Sequence, residues 1–232
     1  MKELNNTEQL DAYIQTYQLE RIFYESLLPY LSLYSFEQGE LICSQGEESE
    51  YLYVLVKGKV KIYTSSPEGK TLILSFKKPL EVIGDIEYVR GIEIINTVEA
   101  VSPVWMIGIH YRWLKKYGSE HAPFLQFLLD IMTKKFQLKN NSMSFNIMYP
   151  VEVRLASYLL SVSFDETDSL LKSEINISIK DAANLIGTSY RHLNRVITQF
   201  CAEGLIERRN RGSILVKDRN GLKELAGDNI YE

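Results

Sequence analysis

Apolar residues along this chain change their spacing twice, and each change marks a different kind of element. Residues 4–31 carry three- and four-residue steps, which predict one or two helices ahead of the first domain. From 34 to 109 the apolar runs shorten and glycines punctuate them. The run Leu-Tyr-Val-Leu-Val at 52–56 leads through Lys57-Gly58 to 59–63, where faces alternate. A turn at 65–69 precedes a run at 71–76, and further runs follow at 82–83, 97–101 and 104–109. Short strands at this spacing predict a β-sandwich or small barrel. Gly39, Gly46, Gly58, Gly69 and Gly84 fall at its corners, where a positive φ is needed. After Pro123 the helical period returns for more than twenty residues, with Phe124, Phe127, Leu128, Ile131, Leu138 and Phe145 on one stripe. This long helix either packs on its own subunit or forms a parallel seam with its copy, and the seam is the preferred expectation. Lys134, Lys135, Lys139, Asn140 and Asn141 interrupt that stripe and make the seam imperfect. Tyr149-Pro150 closes the helix, residues 151–162 open a further domain, and 165–168 read as a polar loop.

The segment 177–207 is the most specific of all. Ser178 with Asp181 three residues later forms a capping box, and Ala182, Leu185 and Ile186 give the helix that follows one apolar face. Gly187 supplies a sharp turn, and Ser189 caps a second helix from 190 to about 203. There Leu193, Val196, Ile197 and Phe200 face a core, while Tyr190, Arg191, Asn194 and Arg195 face outward. Two short helices joined by a glycine turn, with arginines early in the second, form a helix-turn-helix suited to a major groove. Residues 206–216 then read as a β-hairpin wing whose tip holds Arg208, Arg209 and Arg211. An ordinary helical hairpin in a core is the plain alternative.

Charge changes the picture only when it is taken locally. The whole chain carries −4, which by itself argues against nucleic acid. Between Ser178 and Arg219 eight basic residues stand against four acidic ones, so this window carries +4. Phosphate contacts need such a local footprint rather than a basic protein. Length allows two cores, or one domain plus a smaller module. No apolar run reaches the length of a membrane span, the N-terminal residues lack a signal pattern, and Cys43 and Cys201 are too few for a disulfide scaffold. A cytoplasmic protein is expected.

In order and in detail these parts resemble the Crp/Fnr family of bacterial transcription regulators, over about residues 28–216. Phe36-Glu-Gln-Gly-Glu-Leu-Ile-Cys-Ser-Gln-Gly46 and Leu52-Tyr-Val-Leu-Val-Lys-Gly58 look like the opening strands of that family's cyclic-nucleotide-binding jelly roll. Glu68-Gly-Lys70 with Leu72-Ile-Leu-Ser75 matches the next hairpin, and the helix-turn-helix and wing match in position and length. The resemblance implies an α+β chain of three parts: a double-stranded β-helix (jelly roll) sensor at 1–120, a long dimerisation helix at 121–149 and a winged helix-turn-helix at 150–232. It implies a homodimer on double-stranded DNA, with RNA polymerase as a further partner. Phe124, Leu128, Ile131 and Leu138 are the expected dimer positions. Tyr190, Arg191 and Arg195 match the family's base-reading triplet, and Ser189, Arg208, Arg209 and Arg211 are expected on phosphates. Relatives commonly carry Glu where this chain has Arg191, and arginine reads the O6/N7 edge of guanine.

The sensor departs from the family pattern. Cyclic-nucleotide members carry Gly-Glu for the ribose and, further along, Arg followed by Ser or Thr for the phosphate. Here the pair is Gly84-Asp85, and Ile94 and Ile95 stand where Arg-Ser would be. Apolar side chains supply no charge-assisted bonds to a phosphate diester. Glu81, Glu87 and Glu93 oppose an anion further, and Arg90 lies four residues before Ile94. Binding of cAMP or cGMP is therefore not expected. Two cysteines cannot hold an iron–sulfur cluster, and His110, His121 and His192 are too few for haem or a metal-dependent oxygenase on this architecture. No nucleophile–base pair suggests an enzyme. No cofactor is assigned. Open alternatives are a neutral ligand against Ile83, Ile94, Ile95 and tyrosines, oxidation of an exposed low-pKa Cys43, action without any ligand, or a sensor whose basic module grips a protein.

Overall fold

In the computed structural model of the chain, residues 2–67, 71–162, 174–176, 179–209 and 213–227 are described. Contacts divide it into two compact units, 1–136 and 137–232.

The first unit opens with a strand, β1 (Lys2–Leu4), and a helix, α1 (Thr7–Thr16) capped by Asn6, whose side chain accepts from the Gln9 N–H. The strands β2 (Ser32–Phe36), β3 (Leu41–Cys43), β4 (Tyr51–Lys57), β5 (Val60–Ser65), β6 (Thr71–Lys77) and β7 (Glu81–Ile83) follow. A short helix, α2 (Asp85–Arg90), precedes β8 (Thr97–Ala100), β9 (Val104–His110) and one helical turn, α3 (Tyr111–Trp113). Two antiparallel sheets result, in the orders β1-β2-β9-β4-β7 and β3-β8-β5-β6. The N-terminal strand β1, which pairs Lys2 with Ser35, departs from the helical spacing of its segment. Gly39, Gly46, Gly58 and Gly84 all have φ between +84° and +90°. Gly58 also has no room for a side chain, since a Cβ there would lie 2.2 Å from the Pro103 carbonyl oxygen. Gly69 and its hairpin partners Glu68 and Lys70 lie outside the described residues.

Strand β4 explains its own composition. Tyr53 and Leu55 face the interior between the sheets, packed with Tyr34, Phe36, Ile83 and Met106. Leu52, Val54 and Val56 face the other way, into a second cluster with Leu19, Phe23, Leu27 and Ile107. A strand covered on both faces reads as a continuous apolar run rather than an alternating one. Strand β5, by contrast, buries Val60 fully, leaves residues 61–64 half-covered and exposes Ser65.

The outer cluster also takes in the start of the long helix α4 (Ala122–Met148). Phe124 is fully buried and Leu128 is 3% exposed, with the Phe23 and Phe124 rings 5.8 Å apart. Ile131 is half-buried against the same cluster. Burying a side chain such as Phe124 stabilises by about 1.5–3 kcal/mol, which a dimer seam would have to replace. The expected dimer positions Phe124 and Leu128 are thus corrected: they belong to the protein's own core, and Ile131 leans on it. Leu138 is half-buried. Helix α4 has a second apolar stripe, where Leu125, Leu129, Phe136, Met143 and Ile147 are 43–76% exposed.

In the second unit α5 (Val151–Val162) is followed by β10 (Glu174–Asn176), α6 (Ile179–Leu185), α7 (Tyr190–Ala202), β11 (Ile206–Arg208), β12 (Ser213–Val216) and α8 (Arg219–Ala226). Its core gathers Leu155, Leu159, Ala182, Leu193, Val196, Ile197, Phe200, Ile214 and Leu222. The polar stretch 165–168 and the cap Ser178 lie outside the described residues. Asp218 caps α8 by accepting from the Gly221 N–H at 2.9 Å.

Candidate nucleic-acid interface and sensor pocket

The helix-turn-helix follows from one apolar face per helix. Ala182 and Ala183 of α6 are small enough to let α7 approach, and Leu193, Val196, Ile197 and Phe200 at three- and four-residue steps fill the contact. Gly187, at φ +66°, turns the chain between them. Ser189 stands at the N-cap of α7, and its Oγ accepts from the His192 N–H at 3.2 Å. What the core does not use is presented outward: Ser189, Tyr190, Arg191 and Arg195 are all exposed on the first turns of α7. Asn194 is half-buried instead, its Oδ1 accepting from Nη2 of Arg208 at 2.6 Å.

The wing is built by β11 and β12, with Ile206 opposite Val216 and Arg208 opposite Ile214. Strand β10 extends this sheet on the far side of β12, a pairing the sequence pattern does not suggest. The Arg209 N–H donates to the Ser213 carbonyl at 2.9 Å and draws the hairpin together. Arg208 and Arg209 are exposed, whereas Arg211 at the tip lies outside the described residues. Arg209 Nε lies 3.3 Å from Glu207, which also pairs with Lys217 at 3.4 Å. Such surface pairs contribute only about 0–1 kcal/mol, so they yield easily to a phosphate.

In the first unit, the residues expected around a sensor pocket are held by the protein itself. The segment after Gly84, a loop by its sequence pattern, is the helix α2, and Asp85 at its start is 3% exposed. Both Asp85 carboxylate oxygens accept from Lys135 Nζ, at 2.9 and 3.0 Å. The same ammonium donates to the Val82 carbonyl at 2.6 Å and lies 3.2 Å from Glu81. Lys77 approaches Glu81 from its other oxygen at 3.4 Å. Glu87 is buried and accepts from the Ile95 N–H at 3.1 Å. Arg90 is exposed, Ile94 is buried and Ile95 is 38% exposed, so the two isoleucines are not a paired apolar wall.

Lys135 is the side chain that the sequence pattern misplaces. By pattern alone it is a defect in a dimer stripe, and Glu81 is uncompensated negative charge. The missed signal lies in spacing: Phe124, Leu128, Ile131 and Lys135 follow one another at steps of four, three and four residues. A cation on a core-facing stripe needs a partner in that core.

Around this cluster, burial removes acidity from the neighbouring groups. The Tyr111 hydroxyl donates to the Gly84 carbonyl at 2.7 Å and sits 2.6 Å from Ser49 Oγ. Burial pushes Tyr111 and Tyr53 well above the usual phenol range, and Tyr34 up to about 12. Burial, reinforced by nearby Glu87, raises the Cys43 thiol to about 12, and its Sγ faces the Asn96 carbonyl. A thiol in that state is the opposite of the low-pKa group that redox sensing requires.

Two family descriptions match the chain. Residues 33–117 match the cyclic nucleotide-binding domain and residues 153–225 the Crp-like helix-turn-helix domain. Over 194 residues the chain is 25% identical to the regulatory protein YeiL of Escherichia coli O157:H7, covering 84% of this chain and 85% of that one. It is 22% identical to a CRP-like cAMP-activated global transcriptional regulator of Mycobacterium tuberculosis, covering 82% and 86%. Among solved structures, a CRP/FNR-family transcriptional regulator from Thermus thermophilus superposes with a TM-score of 0.71 at 22% identity, over 85% and 99% of the two chains.

The Lys135 cluster gives a direct stability test. Replacing Lys135 by Met leaves Asp85 buried beside Glu81 without its counter-charge. The variant should lose about 1–3 kcal/mol in urea unfolding at pH 7, below the full cost of a wholly buried pair because Lys135 keeps some solvent. A midpoint equal to wild type would mean that the cluster contributes nothing.

Proposed function

The chain belongs to the Crp/Fnr family of transcription regulators, and we propose that it reads a near-palindromic DNA site as a cytoplasmic homodimer without binding a cyclic nucleotide. It acts through a DNA-binding helix-turn-helix and is not an enzyme. Among the described residues no helix is long and apolar enough to cross a membrane. RNA polymerase is the partner on which such a regulator would act.

The observation that carries the DNA reading is the exposed face of α7. Tyr190 is 55% exposed, and Arg191 and Arg195 stand beside it on the turns that a docked recognition helix offers to base edges. Arginine at both positions favours guanine contacts. Ser189, Arg208, Arg209 and Arg211 are then the phosphate set, which fixes register rather than sequence. Within it, Arg208 is already tied to Asn194, so its place against the recognition helix is fixed in advance.

Dimerisation rests on the stripe that α4 leaves uncovered. Leu125, Leu129, Phe136, Met143 and Ile147 recur at steps of four, seven, seven and four residues, which keeps them on one narrow side of a helix. Apolar side chains of this size, in a row along 23 residues from 125 to 147, suit a second copy of the same helix. Two copies would place their recognition helices in successive major grooves, about 34 Å apart.

Three features support a sensor domain without cyclic nucleotide. Asp85, in the place of the ribose-binding carboxylate, is occupied by Lys135. Ile94 and Ile95 stand at the phosphate positions, and Arg90 is exposed to solvent on the last turn of α2.

Each part has its own measurement. Arg195→Ala should cost about 1–3 kcal/mol at the selected site and flatten preference at one base position, whereas Arg209→Ala should weaken all duplexes alike and lower the salt slope by about one unit. Equal losses on selected and random duplexes for both variants would overturn the groove assignment, and absence of any salt-dependent duplex binding would favour a protein partner for the basic module.

Phe136→Glu should convert a dimer to monomer in sedimentation at micromolar concentration and weaken operator binding by about a hundredfold or more, because paired half-sites are lost. A monomeric wild type would defeat the seam.

Titration calorimetry with cAMP and cGMP at millimolar concentration should give no saturable heat, and a low-micromolar dissociation constant for either would overturn the pocket reading.

A further inference from the structure

Arg154 is a buried cation in the wrong place for contact with DNA. It lies on the first turns of α5, 8% exposed, between the core residues Val151, Leu155 and Tyr158. Its Nη1 donates to the Ile186 carbonyl, and to the Gly187 carbonyl at 3.3 Å. Those two carbonyls belong to the turn that joins α6 to the recognition helix α7. Backbone bonds from Ile186 N–H to Ala182, Gly187 N–H to Asn184 and Thr188 N–H to Ala183 close the end of α6. Carbonyls at and just past a helix end have no helical N–H to meet, and here one guanidinium meets those of Ile186 and Gly187.

The fit around this turn is close. A Cβ added to Gly187 would lie 3.4 Å from Arg154 Nη1 and 3.9 Å from the Asn146 side chain, so the turn is seated directly against the guanidinium. Arg154 Nε is buried and has no hydrogen-bond partner among the described residues. A methionine of similar length would pack in this core without desolvating a charge. What methionine cannot supply is direction. The contact between α6, α7 and α5 includes Ala182, Ala183, Leu193, Val196 and Ile197, and apolar contacts tolerate sliding because they are not directional. Base contacts by arginine are directional and fail when the helix that carries them tilts.

We infer that Arg154 is a positioning residue for DNA reading: by holding the Ile186 and Gly187 carbonyls from below, it fixes the angle at which α7 presents Tyr190, Arg191 and Arg195. This rests on the proposed role of α7 and adds a residue that touches no nucleic acid. Its loss acts mainly on discrimination between sequences: of the phosphate-directed arginines, Arg208 is bonded to α7 through Asn194, whereas Arg209 is bonded within the wing to the Ser213 carbonyl.

The test begins with a duplex selected by the wild-type full-length protein from a random-sequence library. Affinity for that duplex and for a random one, the salt slope and the thermal melting profile are then measured for Arg154→Met and Arg154→Lys. The expected result for Arg154→Met is at least a tenfold loss on the selected duplex and less than twofold on the random one, with an unchanged salt slope and a cooperative melt. Arg154→Lys, which keeps a donor but not the fork, should fall between Met and wild type. An unchanged ratio of selected to random affinity in Arg154→Met would overturn the inference. So would parallel losses of both affinities and of melting temperature with no rescue by lysine, the pattern of a merely structural residue. Should Arg154→Met fail to fold, the ratio in Arg154→Lys decides: a wild-type ratio overturns the inference and a reduced one upholds it. A wild-type protein that selects no duplex would instead refute the DNA reading of α7 itself and take this inference with it.

Discussion

The five-stranded sheet of the first unit has two faces to cover, and most of the functional geometry there depends on how the second is covered. One face meets the other sheet through Tyr53, Leu55 and Met106. The other carries Leu52, Val54, Val56 and Ile107, and an apolar face of that size cannot be left in water. The N-terminal residues Leu19, Phe23 and Leu27 cover part of it, and the start of α4 completes the cover with Phe124 and Leu128. That packing sets the rotation of α4 about its own axis. Once Phe124 points into the core, Lys135 on the same stripe is carried towards Glu81 and Asp85, and Leu125, Leu129 and Phe136 are turned out to solvent.

Charge in the sensor region is thereby settled internally. A carboxylate as buried as Asp85 is costly unless it is paired and hydrogen-bonded, and Lys135 supplies both functions while also satisfying the Val82 carbonyl. Asp85 and Lys135 thus form a completed ion pair within the first unit. Burial holds Tyr53 and Tyr111 in their neutral form in the neighbouring interior.

In the second unit the same principle operates at the end of a helix. Ser189 satisfies the start of α7 through the His192 N–H, and Arg154 satisfies the end of α6 through two carbonyls. The turn between is therefore bonded from both sides, and the glycine at φ +66° makes that conformation available without strain. A recognition helix anchored in this way can devote its outer face to polar and charged residues, because neither its packing nor its capping uses them.

Much of this is legible in the sequence, since local periodicity and turn chemistry act over a few residues. The strands at 52–56, 71–76 and 104–109, the positive φ of Gly58 and Gly84, the helix-turn-helix and its Ser189 cap, and the wing strands all follow from spacing that a single segment contains. What stays open requires knowing which segment meets which. Helix α4 carries two apolar stripes, and nothing within the helix says which belongs to its own core; the sheet's uncovered face decides it, which is why pattern alone assigns Phe124 and Leu128 to the seam. Strands β1 and β10 are three residues each and gain their identity from the partners they pair with, Ser32–Phe36 and Ser213–Val216. Lys135 and Arg154 escape a sequence reading for the same reason. A cation on a helix looks like solvated surface until tertiary contacts bring buried carboxylates 50 residues away, or carbonyls 32 and 33 residues away, within hydrogen-bonding distance. Periodicity determines the elements, and the burial of apolar faces against one another decides which polar groups are left to find partners.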